Sequence, residues 1–131
     1  MKKLIPILLL LAFLLGGCAA SAPQAQQGAY RQVSMQDAIA LMKEEQGYVI
    51  LDVRTEAEYA SGHIPEAILL PNETIGTGEL PQLPDKEQLI LVYCRSGNRS
   101  KQASEKLAQL GYVNVVEFGG INSWPGEIVT E

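Results

Sequence analysis

The sequence predicts an α/β domain with an open, mainly parallel β-sheet flanked by helices. Short apolar runs rich in strand formers alternate with segments of helical periodicity from residue 30 onward. The residues involved, about a hundred, are enough for one hydrophobic core and no more. We therefore expect a single domain over residues 30–131.

Both helices predicted in the first half of the domain begin with side chains suited to capping. Residues 34–37 and residues 55–58 resemble capping boxes, which satisfy free backbone N–H groups of a first turn. The predicted elements are a helix from Ser34 to about Gly47, a strand at 48–53, a short helix from Thr55 ended by Gly62, a brief strand at 67–70, and a loop or broken helical stretch at 71–84.

The second half begins with an apolar run that is typical of a buried parallel strand. The predicted elements are a strand at 88–93, a helix at 100–110 with Ala103, Leu107, Ala108 and Leu110 on one face, a strand at 114–118, a turn at Gly119 and Gly120, and a short helix at 121–124. Ligands of open parallel sheets bind beyond the carboxyl ends of the strands. Cys94 lies at such an end.

The strand at 88–93 leads through a short polar loop into the next helix. Free N–H groups of a helix N-terminus and of successive loop residues can form an anion-binding nest. Gly97 and Asn98 tolerate the positive φ angles that a nest needs, and Arg95 and Arg99 add positive charge. These surroundings should lower the pKa of the Cys94 thiol. We predict Cys94 as a nucleophile, with an anion-binding loop formed by Arg95, Ser96, Gly97, Asn98, Arg99 and Ser100.

Four segments together resemble the rhodanese homology family in its single-domain form. They comprise residues 50–54 with Glu58 and Tyr59, residues 62–65, residues 92–100, and residues 111, 112, 115, 119–121 and 124. The resemblance implies a sulfurtransferase without a cofactor. In that family the loop cysteine takes a sulfane sulfur from thiosulfate or a similar donor, carries it as a persulfide, and passes it to cyanide or a thiol. One departure is Glu66, which precedes Ala67 where the family usually has a glycine.

Three alternatives to sulfur transfer differ in how far the residues support them. A buried, inert cysteine would have no need of two arginines and a glycine in the following turn. A phosphatase or arsenate reductase is a distant alternative, because the related phosphatases have five residues between cysteine and arginine, whereas four separate Cys94 from Arg99. A membrane-tethered module that senses sulfide or binds a protein without turnover stays the main alternative.

Three polar residues outside the loop are also candidates for a structural or catalytic role. Asp52 and Arg54 lie just past a predicted strand end and are expected to brace the active loop by hydrogen bonds. His63 is the only histidine, but it occupies a family position usually regarded as structural, which favours that role over general-base catalysis.

The N-terminus resembles a bacterial lipoprotein leader. Basic residues 2 and 3 precede an apolar run at 4–15 that is short for a membrane span, and residues 15–18 look like a lipobox. An ordinary secretory signal with an incidental Cys18 is the less favoured alternative. The predicted organisation is a lipoprotein signal peptide at 1–17, a lipidated Cys18 with a flexible tether at 18–29, and a rhodanese-like domain at 30–131. The domain is expected in the bacterial cell envelope, at the outer membrane if there is one, because Ala19 stands where a retention aspartate could stand.

Charge and cysteine counts narrow the range of partners. The formal net charge is −5, which disfavours a general nucleic-acid surface. If Cys18 carries lipid, Cys94 is the only thiol, so a disulfide relay is disfavoured. One histidine and one free cysteine do not make a metal site. We expect a monomer whose small partners are a sulfur donor and a sulfur acceptor.

Overall fold

The computed structural model describes residues 29–131. The predicted leader at 1–17, the lipidation site at Cys18 and the tether up to residue 28 lie outside these residues, so the statements about them stay predictions. Within the described part of the chain, no helix is both long enough and apolar enough to cross a bilayer.

Five parallel strands form one sheet, which confirms the predicted fold class. The strands are β1 (Arg31–Gln32), β2 (Val49–Asp52), β3 (Ile68–Leu69), β4 (Ile90–Cys94) and β5 (Val115–Gly120). They lie in the order β1-β5-β4-β2-β3, and every neighbouring pair is parallel. The strand that carries Cys94 therefore occupies the centre of the sheet.

Three α-helices flank the sheet: α1 (Met35–Glu44), α2 (Glu56–Ser61) and α3 (Asn98–Gln109). Two short 3₁₀ turns cover Asn72–Thr74 and Ile121–Ser123. The capping box predicted at the start of α2 is complete, since the side chains of Thr55 and Glu58 each bind the other's backbone N–H. At the start of α1, the Ser34 side chain accepts the N–H of Asp37.

Side chains of β4 alternate between two hydrophobic cores. Ile90, Val92 and Cys94 pack on the side of α3, whereas Leu91 and Tyr93 pack on the side of α1. All five residues are buried. Burying an aliphatic side chain of this size stabilises a fold by roughly 1.5–3 kcal/mol, so the backbone that ends at Cys94 is held by strong packing on both faces.

Three elements differ from the prediction. The strand β1 was not predicted, because two residues are too few to show a period. Helix α3 begins at Asn98, two residues earlier than expected, which places Ser100 in its first turn. The predicted turn at Gly119 and Gly120 is wrong, since both residues belong to β5 and Gly120 pairs with Cys94 after a shift in register.

The turn before β3 contains the one departure from the family pattern. Glu66 has a φ of 69°, the single positive value among the non-glycine residues that the structure describes. The Ala67 N–H donates to the carbonyl oxygen of Ile64 at 3.0 Å. A turn suited to glycine is thus present here with a glutamate in the left-handed conformation.

Candidate functional site

The candidate site begins where the loop after β4 crosses the end of β5. A Cβ atom at Gly120 would overlap the backbone carbonyl of Arg95. The N–H of Asn122 donates to the same carbonyl oxygen at 3.3 Å. Contact between the two backbones requires a glycine at position 120 and fixes the first residue after Cys94.

The loop then turns back over the thiol of Cys94. Gly97 has a φ of 115°, in the left-handed region that favours glycine, and it is the N-cap residue of α3. This conformation directs its N–H to the Sγ atom of Cys94, at 3.0 Å. The Oγ atom of Ser100, one turn into the helix, lies 3.3 Å from the same sulfur.

Burial raises the pKa of the Cys94 thiol, but hydrogen bonds outweigh it. They come from the Ser100 hydroxyl and from the backbone N–H groups of Ser100, Gly97 and Ser96, and the net effect is a lowered pKa. Each of these donors stabilises the thiolate form. A thiol in this environment is more nucleophilic at neutral pH than a free cysteine.

The two arginines of the loop have different surroundings. Arg99 forms a two-pronged ion pair with Glu58, with Nη1–Oε1 and Nη2–Oε2 distances of 2.7 and 3.0 Å. Hydrogen bonding from Arg99 lowers the pKa of Glu58 to about 2. Arg95 is exposed, and its guanidinium makes no hydrogen bond or ion pair within residues 29–131. The largest contributions that lower the pKa of Cys94 come from amides and a hydroxyl. Charge interaction with Cys94 is also among the causes that raise the pKa of Arg99.

Ser100 also contacts a buried carboxylate that the sequence analysis did not select. Its Oγ atom lies 2.6 Å from Oε1 of Glu117, in β5. The N–H of Gly119 donates to the same Oε1 atom at 2.8 Å. Glu117 is 3% exposed, so a buried carboxyl group lies against the first turn of α3.

Asp52 and Arg54 belong to a buried network at the end of β2. Arg54 pairs with Asp52 at 2.6 Å and donates to the carbonyl oxygen of Gly62 at 2.7 Å. Tyr93 donates to Asp52 at 2.6 Å and accepts the N–H of Ile64 at 3.1 Å. Burial and the hydrogen bond to Asp52 raise the pKa of Tyr93, which keeps the phenol protonated.

The network lies beside the active loop without bonding to it. None of the hydrogen bonds that Asp52 and Arg54 make in the described part of the chain reaches residues 95–100. Their contact with the site passes through Tyr93, the neighbour of Cys94. The predicted bracing is thus indirect: the pair fixes residues 62–64 against the end of β4.

His63 has the surroundings of a structural residue. It is 2% exposed, and its ring stacks on Tyr59 with the centroids 3.7 Å apart. Its Nδ1 atom lies 2.9 Å from the Tyr59 carbonyl oxygen, and its backbone pairs with Val129. These contacts join α2 to the C-terminal segment.

The sequence analysis did not select three residues of the site as functional: Glu58, Tyr93 and Glu117. They differ in whether a sequence feature could have identified them. Glu58 was identified as a capping residue, but its pairing with Arg99 joins positions far apart in the chain. Tyr93 lies inside the predicted strand at 88–93, and nothing in the sequence there marks its hydroxyl as part of a hydrogen-bond network. Glu117 left a local signal, since an acid between Val116 and Phe118 in a buried strand needs a hydrogen-bond partner.

Cys94 is the free cysteine of the described residues. Within this same part of the chain, no group of three or more His, Cys, Asp or Glu side chains is arranged to hold a metal ion. The reactive group of this site is the Cys94 thiol, which is surrounded by the backbone N–H groups of the loop.

Comparisons with known proteins agree on one family. The family model for the rhodanese-like domain matches residues 34–127. A sulfurtransferase of Allochromatium vinosum is 43% identical over 77 residues, which cover 58% of this chain and 70% of that protein. The thiosulfate sulfurtransferase PspE of Escherichia coli is 35% identical over 71 residues, 54% of this chain and 68% of that protein. A rhodanese-related protein of Thermoplasma volcanium superposes with a TM-score of 0.65 at 33% identity, over 78% of this chain and 100% of that one.

Proposed function

This chain belongs to the rhodanese-like domain family, and on that premise we propose that it is a sulfurtransferase that carries a sulfane sulfur on Cys94. The relatives named above include sulfurtransferases. The observation that carries the proposal is the position of the Cys94 thiol, which accepts the Gly97 N–H at 3.0 Å beneath the N-terminus of α3. A persulfide anion formed on this sulfur would meet the same donors.

In the first half-reaction, the Cys94 thiolate attacks the outer sulfur of thiosulfate or a similar donor. A new S–S bond forms as the S–S bond of the donor breaks, and sulfite leaves with the bonding electron pair. Arg95 supports this step, because its exposed guanidinium is free to bind the sulfonate oxygens. Arg99 is already paired with Glu58, so its role is to hold the loop near α2.

In the second half-reaction, an acceptor attacks the outer sulfur of the persulfide. The acceptor is cyanide in a laboratory assay, or a thiol. The S–S bond breaks, thiocyanate or a new persulfide leaves, and the Cys94 thiolate is restored. Since donor and acceptor react in turn with the same sulfur atom, the kinetics should be ping-pong.

Intact mass spectrometry tests this proposal directly. Treatment of the chain with thiosulfate should add one sulfur atom, and cyanide should then remove it as thiocyanate. Cys94→Ser is the control that should gain nothing, although it retains Cys18. If the mass of the wild type stays unchanged, thiosulfate is not the donor. That result would favour another sulfur donor or a binding module without turnover.

We also propose, from the sequence pattern alone, that Cys18 carries lipid and anchors the domain to the cell envelope. Two or more acyl chains would hold it firmly to a membrane. In a bacterial host, the wild type should sediment with membranes and incorporate labelled fatty acid, whereas Cys18→Ser should do neither. Cys94→Ser is the matched control and should remain in the membrane fraction. An unlabelled wild type would overturn the anchor.

A further inference from the structure

The ion pair between Glu58 and Arg99 lies at the edge of the sheet where β4 ends in Cys94. Glu58 belongs to the first turn of α2, which follows β2, and Arg99 belongs to the first turn of α3. At this edge the Val53 N–H donates to the Tyr93 carbonyl oxygen at 3.2 Å, so the end of β2 lies beside the end of β4. The pair therefore joins two helices that both begin where the thiol lies.

Arg99 is held by an acid while it remains within electrostatic reach of the thiol. The Glu58 carboxylate binds both terminal nitrogens of Arg99 and also accepts the Thr55 hydroxyl at 3.1 Å. The hydrogen bonds to Glu58 raise the pKa of Arg99, and the charges of Cys94 and Glu73 add to this effect. The guanidinium therefore interacts with the reactive sulfur, but its positive charge is already offset.

An anion that approaches the thiol meets two loop arginines in different states. Cys94 is 1% exposed, so a donor must pass the groups around it. The exposed guanidinium of Arg95 forms no ion pair within residues 29–131, whereas Arg99 is paired with Glu58. Thiosulfate carries two negative charges and approaches a thiolate that carries another. A single available guanidinium offsets one charge of such a donor, and the second charge stays opposed by the thiolate.

We propose that Glu58 is a specificity-determining residue that, by holding Arg99, favours sulfane donors with one negative charge over donors with two. An alkanethiosulfonate is a donor of the favoured class. The Cys94 thiolate attacks its outer sulfur, a new S–S bond forms as the S–S bond of the donor breaks, and a sulfinate leaves with the electron pair. The donor class rests on the proposed function, whereas selection by charge needs only the thiol and the ion pair.

The first test compares two alkylating reagents on the full chain, with peptide mass spectrometry to separate Cys94 from Cys18. Iodoacetamide is neutral and iodoacetate is an anion, but both react with the thiolate, so the ratio of their rates does not depend on the thiolate fraction. Glu58→Gln should raise the rate with iodoacetate relative to iodoacetamide about threefold at low salt, because the charge of Arg99 becomes available. The increase should shrink at about 1 M salt. An unchanged or lowered ratio would overturn the proposal.

Two further variants separate this effect from a general change in charge or in folding. Glu56→Gln removes an exposed acid of the same turn that forms no ion pair with Arg99, and its ratio should stay close to the wild-type value. The double variant Glu58→Gln with Arg99→Gln removes the whole pair without leaving a lone charge, and its ratio should also match wild type. A double variant with a much lower ratio would overturn the proposal, because Arg99 would then bind the anion in the native site.

A second measurement addresses the donor class. Intact mass spectrometry gives the initial rates of sulfur loading from thiosulfate, with two negative charges, and from methanethiosulfonate, with one. Glu58→Gln should raise the rate with thiosulfate relative to methanethiosulfonate about threefold, and an unchanged relative rate would overturn the donor preference. If neither donor loads Cys94 while the alkylation ratio changes as expected, the proposed function fails and the selection by charge is supported.

Discussion

At the residue scale, Glu58 joins two parts of the site. Its backbone N–H donates to the Thr55 hydroxyl at 3.2 Å, which completes the cap of α2. Its carboxylate holds both terminal nitrogens of Arg99. The start of α2 and the end of the active loop are therefore held by one side chain, and protonation of that side chain should weaken their connection.

The pH dependence of stability should reveal this pair. Arg99 lowers the pKa of Glu58 from 4.5 to about 2, so the stabilisation is complete above pH 4.5 and is lost as the pH falls through 2. Both side chains are 28% exposed, which limits its contribution to about 1 kcal/mol. Urea unfolding should show Glu58→Gln less stable than wild type by that amount at pH 6, with the difference shrinking toward pH 3.

The control for this prediction lies in the same turn. Glu56 is also in the first turn of α2 but is exposed and forms no ion pair with Arg99, and Glu56→Gln should give a smaller change in stability at pH 6. A constant difference between wild type and Glu58→Gln from pH 3 to pH 6 would contradict the assignment.

Backbone conformation at Glu66 leads to a second prediction. A non-glycine residue in the left-handed region costs roughly 1–2 kcal/mol, and Glu66 has a φ of 69°. Glu66→Gly should therefore raise the free energy of unfolding by about 1 kcal/mol, less the extra chain entropy of glycine. Thermal unfolding measures this, and Glu66→Ala should bring no comparable gain because alanine meets the same restriction.

At the scale of elements, the site depends on how closely the loop after β4 lies against β5. Gly120→Ala would force a methyl group into the Arg95 carbonyl. We expect a loss of stability of about 1–3 kcal/mol and a strong loss of sulfur loading, because the loop must move away from Cys94. Urea unfolding and the thiosulfate mass assay check both effects.

Gly76 offers the matched control for this substitution. A Cβ atom there meets open space and φ is not in the left-handed region, so Gly76→Ala should leave stability and loading unchanged. Normal loading in Gly120→Ala would show that the loop tolerates displacement from β5.

Long, regular elements could be predicted because their signals are local. β4 is an unbroken apolar run and α2 starts with a complete capping box, and both were predicted to within about two residues. β1 could not be predicted, since its two residues are a strand only by pairing with β5. The glycine pair at 119 and 120 indicated a turn, and this prediction was wrong. Both glycines lie in β5, where the pairing with β4 changes register.

In the candidate site, too, some residues could be predicted from the sequence and others could not. Cys94 and its amide donors lie within seven consecutive positions and could be read from one segment. Contacts of Arg99 with Glu58 and of Ser100 with Glu117 join residues 41 and 17 positions apart. No periodicity or spacing predicts such a pairing, so the arginine was expected to face the substrate.

At the scale of the whole molecule, the exposed apolar surface of residues 29–131 bears on the oligomeric state. The large exposed hydrophobic residues of the described part are Val113 and Ile128, which are too few for the apolar centre of an obligate dimer. We propose that residues 29–131 are monomeric, and sedimentation velocity at micromolar concentration should give the mass of one chain. Cys94→Ser serves as the control that excludes a disulfide-linked pair, and a dimer in both samples would contradict the proposal.

The order of the strands has a consequence for aggregation. The residues of β4 would be the most prone to form intermolecular β-structure if they were exposed, since they are apolar, uncharged and rich in strand formers. In the native sheet they are enclosed by β2 and β5, while the edges are β1 and β3, each two residues long. An approaching chain finds almost no free backbone ladder on which to add. Fibril formation should therefore follow unfolding and not precede it.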